Sequence, residues 1–591
     1  MCGICGEVRF DGAPADVAAV DTMTHEMVAR GPDAGGVWAQ GQVALGHRRL
    51  SIIDLSARGC QPMVDPELGL ALVFNGCIYN YRALRDELRG HGYRFFSHAD
   101  SEVILKAFHA WGPACVERFV GMFAFAVTNL ETGVVTLARD RLGVKPLYVS
   151  QNGARLRFAS SLRAIVRAGD VDTSLDPVAL HHYMSFHSVV PAPRTMFVGV
   201  NKLPPATYRV VQPDGRSEDT LYWEPLLTRR EEHTDWDAHT WGEALLDSLR
   251  TSVERRMVAD VPVGVLLSGG FDSSLIVALL AEQGQRDLAT FSIGFDSAAG
   301  EPGDEYAYSD IVARTFGTDH HKIHVPTEAL LPAIEPTIAA MSEPMVSHDC
   351  IAFYLLSREV AQHVKVVQSG QGADEILAGY DWYPPLAQVQ RHETSSTYQR
   401  VFFDRSHDEV NALISPAFAL DADPSWEFVH RHQARPGADS ALDAALRLDT
   451  QVMLVDDPVK RVDTMTMAWG LEARVPFLDH EFVELAAACP PEHKLAGGGK
   501  GVLKEAGRRL VPKEVIDRTK GYFPVPGIRH LDGEVLDLVR DTLTGEAARG
   551  RGIFRSEPIN ALLADPNATR TTLGSNELWQ VALLEMWLQS F

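Results

Sequence analysis

Up to residue 211 the apolar positions come in short, strand-length runs, at 43–45, 70–74, 123–128 and 134–138, separated by turn residues. The stretches 81–91 and 101–111 instead repeat their apolar positions with a helical period, and Ser101-Glu102 after Asp100 predicts a helix start. The mixture predicts a sheet-rich α+β layer architecture. Turn chemistry at Gln212-Pro213-Asp214-Gly215 and the charged run Arg229-Arg230-Glu231-Glu232-His233 interrupt the pattern. They place a linker at 212–238, between a unit at 1–211 and a second at 239–591. From residue 240 the texture changes. A helix over 241–257 leads to an apolar strand at 261–267, a helix at 275–283, a strand at 288–293 and a helix at 308–316. A strand ending near 325, a helix at 351–363 and a strand at 364–368 follow. Such alternation predicts a parallel α/β sheet with ligands at the carboxyl ends of its strands. Beyond residue 381 the pattern is mainly helical.

Composition narrows the class. At 591 residues, the chain exceeds one ordinary core. Hydrophobic content of 46% with 23% charged residues reads as globular. A net charge of −23 disfavours nonspecific nucleic-acid binding but leaves room for a local nucleotide site. The seven cysteines are scattered, with no recurring CxxC pair, so neither a zinc site nor a disulfide framework is expected and a reducing cytoplasm fits. No signal pattern or membrane-length apolar run is seen, so no membrane partner is expected. His320-His321 and His181-His182 lack a third ligand at metal-site spacing and read as structural.

Several polar islands carry chemistry. Removal of Met1 would leave Cys2 as the first residue, a thiol nucleophile whose own α-amine can take its proton. Arg49 suits an α-carboxylate, Asp100 an α-ammonium, and Asn75 with Gly76 a developing oxyanion. Further on, Ser268-Gly269-Gly270-Phe271-Asp272-Ser273-Ser274 stands between a strand and a helix, where glycines, serines and free amides form a phosphate cradle. Asp272 would repel phosphate unless a divalent cation intervened, so Mg²⁺ is implied. Ser369-Gly370-Gln371-Gly372-Ala373-Asp374-Glu375 follows another strand and offers Asp374 as a second metal ligand.

These motifs, with Arg30-Gly31-Pro32-Asp33, Asp140-Arg141-Leu142-Gly143-Val144-Lys145-Pro146 and Leu471-Glu472-Ala473-Arg474-Val475-Pro476-Phe477-Leu478-Asp479, resemble glutamine-hydrolysing asparagine synthetase, in order, from residue 1 to about 530. The resemblance implies an N-terminal-nucleophile glutaminase sandwich joined to an ATP-pyrophosphatase synthetase domain. It implies that Cys2 releases ammonia from glutamine, held by Arg49-Leu50-Ser51-Ile52-Ile53, Asn75-Gly76-Cys77 and Asp100. It places Leu266, Ser268, Gly269, Gly270, Asp272, Ser273, Ile293, Ser369 and Gly370 around ATP, with Mg²⁺ on Asp272 and Asp374. It sets Lys520 against the adenylated intermediate, and implies an internal ammonia channel. A homodimer is common among such enzymes.

Two residues depart from the family. Cys77 stands where an acid that helps hold glutamine is usual, and is expected to be a packed thiol. Gln371 replaces an acid linked to activating the acceptor carboxylate. With His187-Ser188-Val189-Val190-Pro191 and the segment from Glu343 to Tyr354, this favours the N-acetylglutaminylglutamine amidotransferase branch, which amidates an acetylated dipeptide. Aspartate or another carboxylate is the alternative acceptor. A synthetase that closes its substrate on itself would have lost the cysteine. A silent nucleotide-binding paralogue would not retain Cys2, Asp374 and Lys520 together.

Overall fold

The computed structural model describes residues 2–297, 303–519, 521 and 526–591. Its first part carries β1 (Gly3–Arg9), β2 (Ala34–Gln40), β3 (Val43–Arg49), β4 (Met63–Asp65), β5 (Leu70–Ile78), β6 (Gly121–Asn129), β7 (Val135–Arg139), β8 (Tyr148–Gln151), β9 (Arg155–Ala159), β10 (Asn201–Lys202), β11 (Thr207–Val211) and β12 (Ser217–Leu221). They form two antiparallel sheets, ordered β10-β8-β9-β1-β3-β2 and β12-β11-β7-β6-β5-β4. Strand alternation builds the layers. Ala71 and Val73 of β5 pack between the sheets with Ile4, Leu45 and Phe158. Leu70, Leu72 and Phe74 face the helices Tyr81–Gly90 and Asp100–Trp111, meeting Leu84, Leu88 and Val103. Each such buried side chain stabilises by about 1.5–3 kcal/mol. The helix Val17–Glu26 covers the other outer face through Val20 and Met23.

Two details differ from the sequence reading. Asp100 lies inside the first helical turn instead of capping it, because its carboxylate is spent on the Ile78 amide. The turn at Gln212–Gly215 joins β11 to β12 in a hairpin, so the second sheet runs on to Leu221. A turn signal shows that the chain reverses, not whether the flanking strands pair.

The second part holds a parallel sheet of β13 (Val263–Leu266), β14 (Ala289–Phe295), β15 (Asp319–Val325), β16 (Val366–Gln368) and β17 (Glu472–Arg474), ordered β15-β14-β13-β16-β17. The helix after β13 begins at Phe271, earlier than the pattern suggests, so Asp272 and Ser273 occupy its first turn. Helices dominate from residue 373 on. Among the described residues no helix is long and apolar enough to cross a membrane.

Buried ion pairs join the two parts. Asp463 accepts from both Arg30 (2.9 Å) and Lys145 (3.0 Å). Lys202 reaches Glu343 (3.1 Å) and Asp456 (2.7 Å). These groups gain nothing singly from burial, but removing one partner strands the other in a medium that cannot solvate it.

Candidate active site

Cys2 precedes β1, whose Gly3 pairs with Arg48 of β3, so the register sets Cys2 beside Arg49. The Cys2 amide nitrogen donates to Asn75 Oδ1 at 3.0 Å. That leaves Asn75 Nδ2 buried with no hydrogen-bond partner among the described residues. A buried donor held in place and unspent is what a developing oxyanion requires. Gly76 has φ +153°, and a Cβ there would fall 2.1 Å from the Met122 carbonyl oxygen, so only glycine fits beside Asn75. Burial raises the Cys2 thiol pKa, and the neighbouring amino terminus opposes this.

Cys2, Arg49, Leu50, Ile52, Ile53, Gly76, Cys77 and Asp100 line one small cavity. Ser51 does not; its amide donates to Asp33 instead. The cavity is small, about 40 Å³, and opens to the outside. The Arg49 guanidinium is held by the carbonyls of Ser56 (2.9 Å) and Asp54. Asp100 is pushed up to about 6 by burial, against the Ile78 amide that favours its ionised form. Since only the carboxylate pairs with an α-ammonium, kcat/KM for glutamine should fall as pH drops through about 6. Ammonium-dependent synthesis should lack that limb. A pH profile of glutaminase checks this, and persistence of the limb in Asp100→Asn would assign it elsewhere.

Sequence reasoning did not place Glu472 and Arg474 of β17 in this wall, where they complete the cavity from the second part of the chain. Arg474 Nε donates to Glu472 (2.6 Å), and Nη2 approaches the Cys77 sulfur at 3.8 Å. The Ser369 amide donates to the Arg474 carbonyl at 2.8 Å. One short strand thus touches both the Cys2 cavity and the second glycine loop. Charges at alternate positions of the apolar run 471–475 are the only signal of it. Burial raises the Cys77 thiol, which therefore stays protonated and packed.

A larger cavity of about 530 Å³ opens at the carboxyl ends of the parallel strands. Leu266, Ser268, Gly270, Asp272, Ser273, Ile293, Ser369, Gly370, Gln371 and Asp374 line it. Gly269 does not, but its φ of +73° makes the turn, and a Cβ would meet the Ser309 amide at 2.7 Å. The helix Phe271–Glu282 presents its N-terminus to this space. Lys500 lies between the two carboxylates, 2.6 Å from Asp272 and 2.9 Å from Asp374. Burial lowers the Lys500 pKa, but the two acids outweigh it and raise it. Two hard oxygen donors close enough to share one cation fit Mg²⁺. Lys500 sits in the glycine run 497–501 with φ +57° and was missed because its acids lie far away in sequence. Lys520 lies outside the described residues.

Both histidine pairs make hydrogen bonds to side chains far away in sequence. His320 Nδ1 bonds Thr290 Oγ1 at 2.9 Å. His181, His407 and Asp423 do cluster at metal-ligand distances. Yet Asn411, its amide oriented by both backbone groups of Leu420, donates to His407 Nε2. That leaves the hydrogen of the neutral ring on Nδ1, which donates to His181 at 3.0 Å.

A family model described as asparagine synthase matches residues 244–589, and one described as a glutamine amidotransferase domain matches residues 1–223. A putative glutamine-hydrolyzing asparagine synthetase of Mycobacterium tuberculosis is 32% identical, over 99% of this chain and 97% of that protein. Glutamine-hydrolyzing asparagine synthetase 3 of Bacillus subtilis is 30% identical, over 89% of this chain and 87% of its own length. Asparagine synthetase B of Escherichia coli is 30% identical, over 88% and 82% respectively.

Proposed function

Since the chain belongs to the glutamine-hydrolysing asparagine synthetase family, whose members are carbon–nitrogen ligases forming AMP and pyrophosphate, we propose that it transfers glutamine's amide nitrogen to the carboxylate of an acetylated glutaminyl dipeptide. Once Met1 is removed, Cys2 Sγ attacks the glutamine side-chain amide and its α-amine takes the thiol proton. Asn75 Nδ2 and the Gly76 amide stabilise the oxyanion, Arg49 and Asp100 hold the two ends of glutamine, and ammonia leaves. In the larger cavity the acceptor carboxylate attacks the α-phosphate of ATP, releasing pyrophosphate. Asp272 and Asp374 would hold Mg²⁺, which shields the phosphate charge. Lys520 is assigned to the acyl-adenylate. Ammonia then displaces AMP. A cavity of about 340 Å³ between the two parts, lined by Met27, Val144 and Met467 beside the ion-paired Arg30, Lys202 and Asp463, is the route we assign to it. The glutaminase unit is taken to run through β12 to about residue 221, beyond the 211 read from the sequence, and the synthetase unit as 239–591. The seven unpaired cysteines suit a cytoplasmic enzyme.

Gln371 carries the acceptor assignment. It contributes a neutral amide to the ATP cavity where an acid would suit aspartate. Beside it Tyr380 and Trp382 stack at 4.0 Å, with Phe353, Met453 and Leu573 extending an apolar wall. Such a wall suits an acceptor with amides and methylenes better than one with a second carboxylate. Pyrophosphate release tests this: acetylated glutaminylglutamine should accelerate it, and acceleration by aspartate alone would overturn the assignment.

A further inference from the structure

His187 and Asp404 form a pair that the reaction described above leaves unused. His187 follows the helix Pro177–Ser185, and it and Ser188 have φ of +50° and +56°, a left-handed conformation that histidine adopts more readily than serine does. The structure around them enforces it. The Ser188 amide donates to the Tyr183 carbonyl at 3.0 Å, and Ser188 Oγ accepts from the Val346 amide at 3.3 Å. Two successive residues held in this way at one wall of a cavity fix the direction of the His187 side chain.

The aim is defined. His187 Nδ1 lies 3.0 and 3.2 Å from the two carboxylate oxygens of Asp404. Asp404 is sealed from solvent and also accepts from Gln580 at 3.2 Å. The Nδ1 edge of the ring is therefore turned into the core. His187 nonetheless lines the 530 Å³ cavity that holds Gln371, Asp272 and Asp374, so its opposite edge, with Nε2, faces that space. No hydrogen bond from Nε2 to a described residue is formed. A buried carboxylate that fixes one ring nitrogen and leaves the other facing a substrate cavity is the arrangement of a general base.

The geometry points to His187 as the base that takes the proton from the attacking nitrogen, with Asp404 as its positioning residue. This rests on the ligase reading above. As ammonia's lone pair forms the C–N bond to the adenylated carbonyl, one N–H proton passes to Nε2. The C–O bond to phosphate breaks with its electron pair leaving on AMP. Asp404 stabilises the imidazolium until the proton returns to solvent. The dyad would then supply from a histidine the proton acceptor that Gln371, a neutral amide, does not. Three charged groups bear on the ring. Asp404 and Asp457 favour its protonated form, and Arg461, ion-paired with Asp457 at 3.3 Å, opposes it. Burial lowers the His187 pKa, but Asp404 outweighs this and raises it. Amide formation should therefore rise with pH as His187 loses its proton.

The test uses full-length enzyme, ATP, ammonium chloride and whichever carboxylate drives pyrophosphate release in the unmodified protein, so a wrong acceptor does not disturb it. Asparagine tolerates positive φ and cannot accept the proton. In His187→Asn, acceptor-dependent pyrophosphate release should stay within about threefold while amide formation falls roughly 100-fold. AMP and free acid should accumulate instead. In Asp404→Asn, the acid limb of amide formation should move to lower pH with a lower plateau. Amide formed one-to-one with pyrophosphate in His187→Asn would overturn the assignment. So would an unmoved acid limb in Asp404→Asn, a readout that serves should the first variant not fold.

Discussion

Cys2→Ala is expected to lower glutamine-dependent amide formation by roughly 10⁴-fold or more, because no other group in the cavity replaces the nucleophile. Arg49 and Asp100 are assigned to binding and Asn75 and Gly76 to the oxyanion, while the Cys77 thiol is held protonated by burial and packed against Arg474. The same variant should retain synthesis from added ammonium, since the ATP cavity is built from a different sheet. Parallel assays with glutamine and with ammonium chloride separate the two. Loss of both together would mean that the two halves do not divide the chemistry as described.

Asp272→Ala should have the opposite signature. It removes one of the two carboxylates that share Lys500 and leaves that buried ammonium on Asp374 alone. The pyrophosphate end of ATP would then lose one of two oxygen donors for its cation while Lys500 is held less firmly. Acceptor-dependent pyrophosphate release should drop by about 10²–10³-fold, the scale of losing one preorganised electrostatic group. Basal glutaminase should persist, because Asp272 makes no part of the Cys2 cavity. Undiminished pyrophosphate release would count against the metal site.

What was legible in the chain was local. The alternation of Leu70, Leu72 and Phe74 against Ala71 and Val73 marks a strand buried on both faces, and β5 is one. Strand, glycines and helix around Ser268–Ser274 are contiguous, so the cradle shows in the sequence. Its helix start was misplaced because Gly270, a residue without a capping side chain, occupies the cap position. What was illegible depends on distance. Lys500 meets Asp272 across 228 residues, and His187 meets Asp404 across 217. Arg474 meets Cys77 across 397. No periodicity or spacing rule reaches that far. Each of those pairs exists only because segments distant in sequence fold onto one another.

The relation of β17 to both cavities gives a physical basis for communication between them. Its Glu472 and Arg474 side chains wall the glutamine cavity, while its backbone carries the Ser369 amide of the loop holding Gln371 and Asp374. Movement of that loop would be felt at the wall formed by Glu472 and Arg474.

Incubation with amide-¹⁵N glutamine, ATP and acetylated glutaminylglutamine, followed by mass analysis of the product, tests most directly whether nitrogen released at Cys2 ends in an amide made at the ATP cavity. One ¹⁵N in the new C-terminal amide is expected for each AMP formed. Label recovered only as free ammonium, with no AMP produced in the presence of the dipeptide, would contradict that transfer.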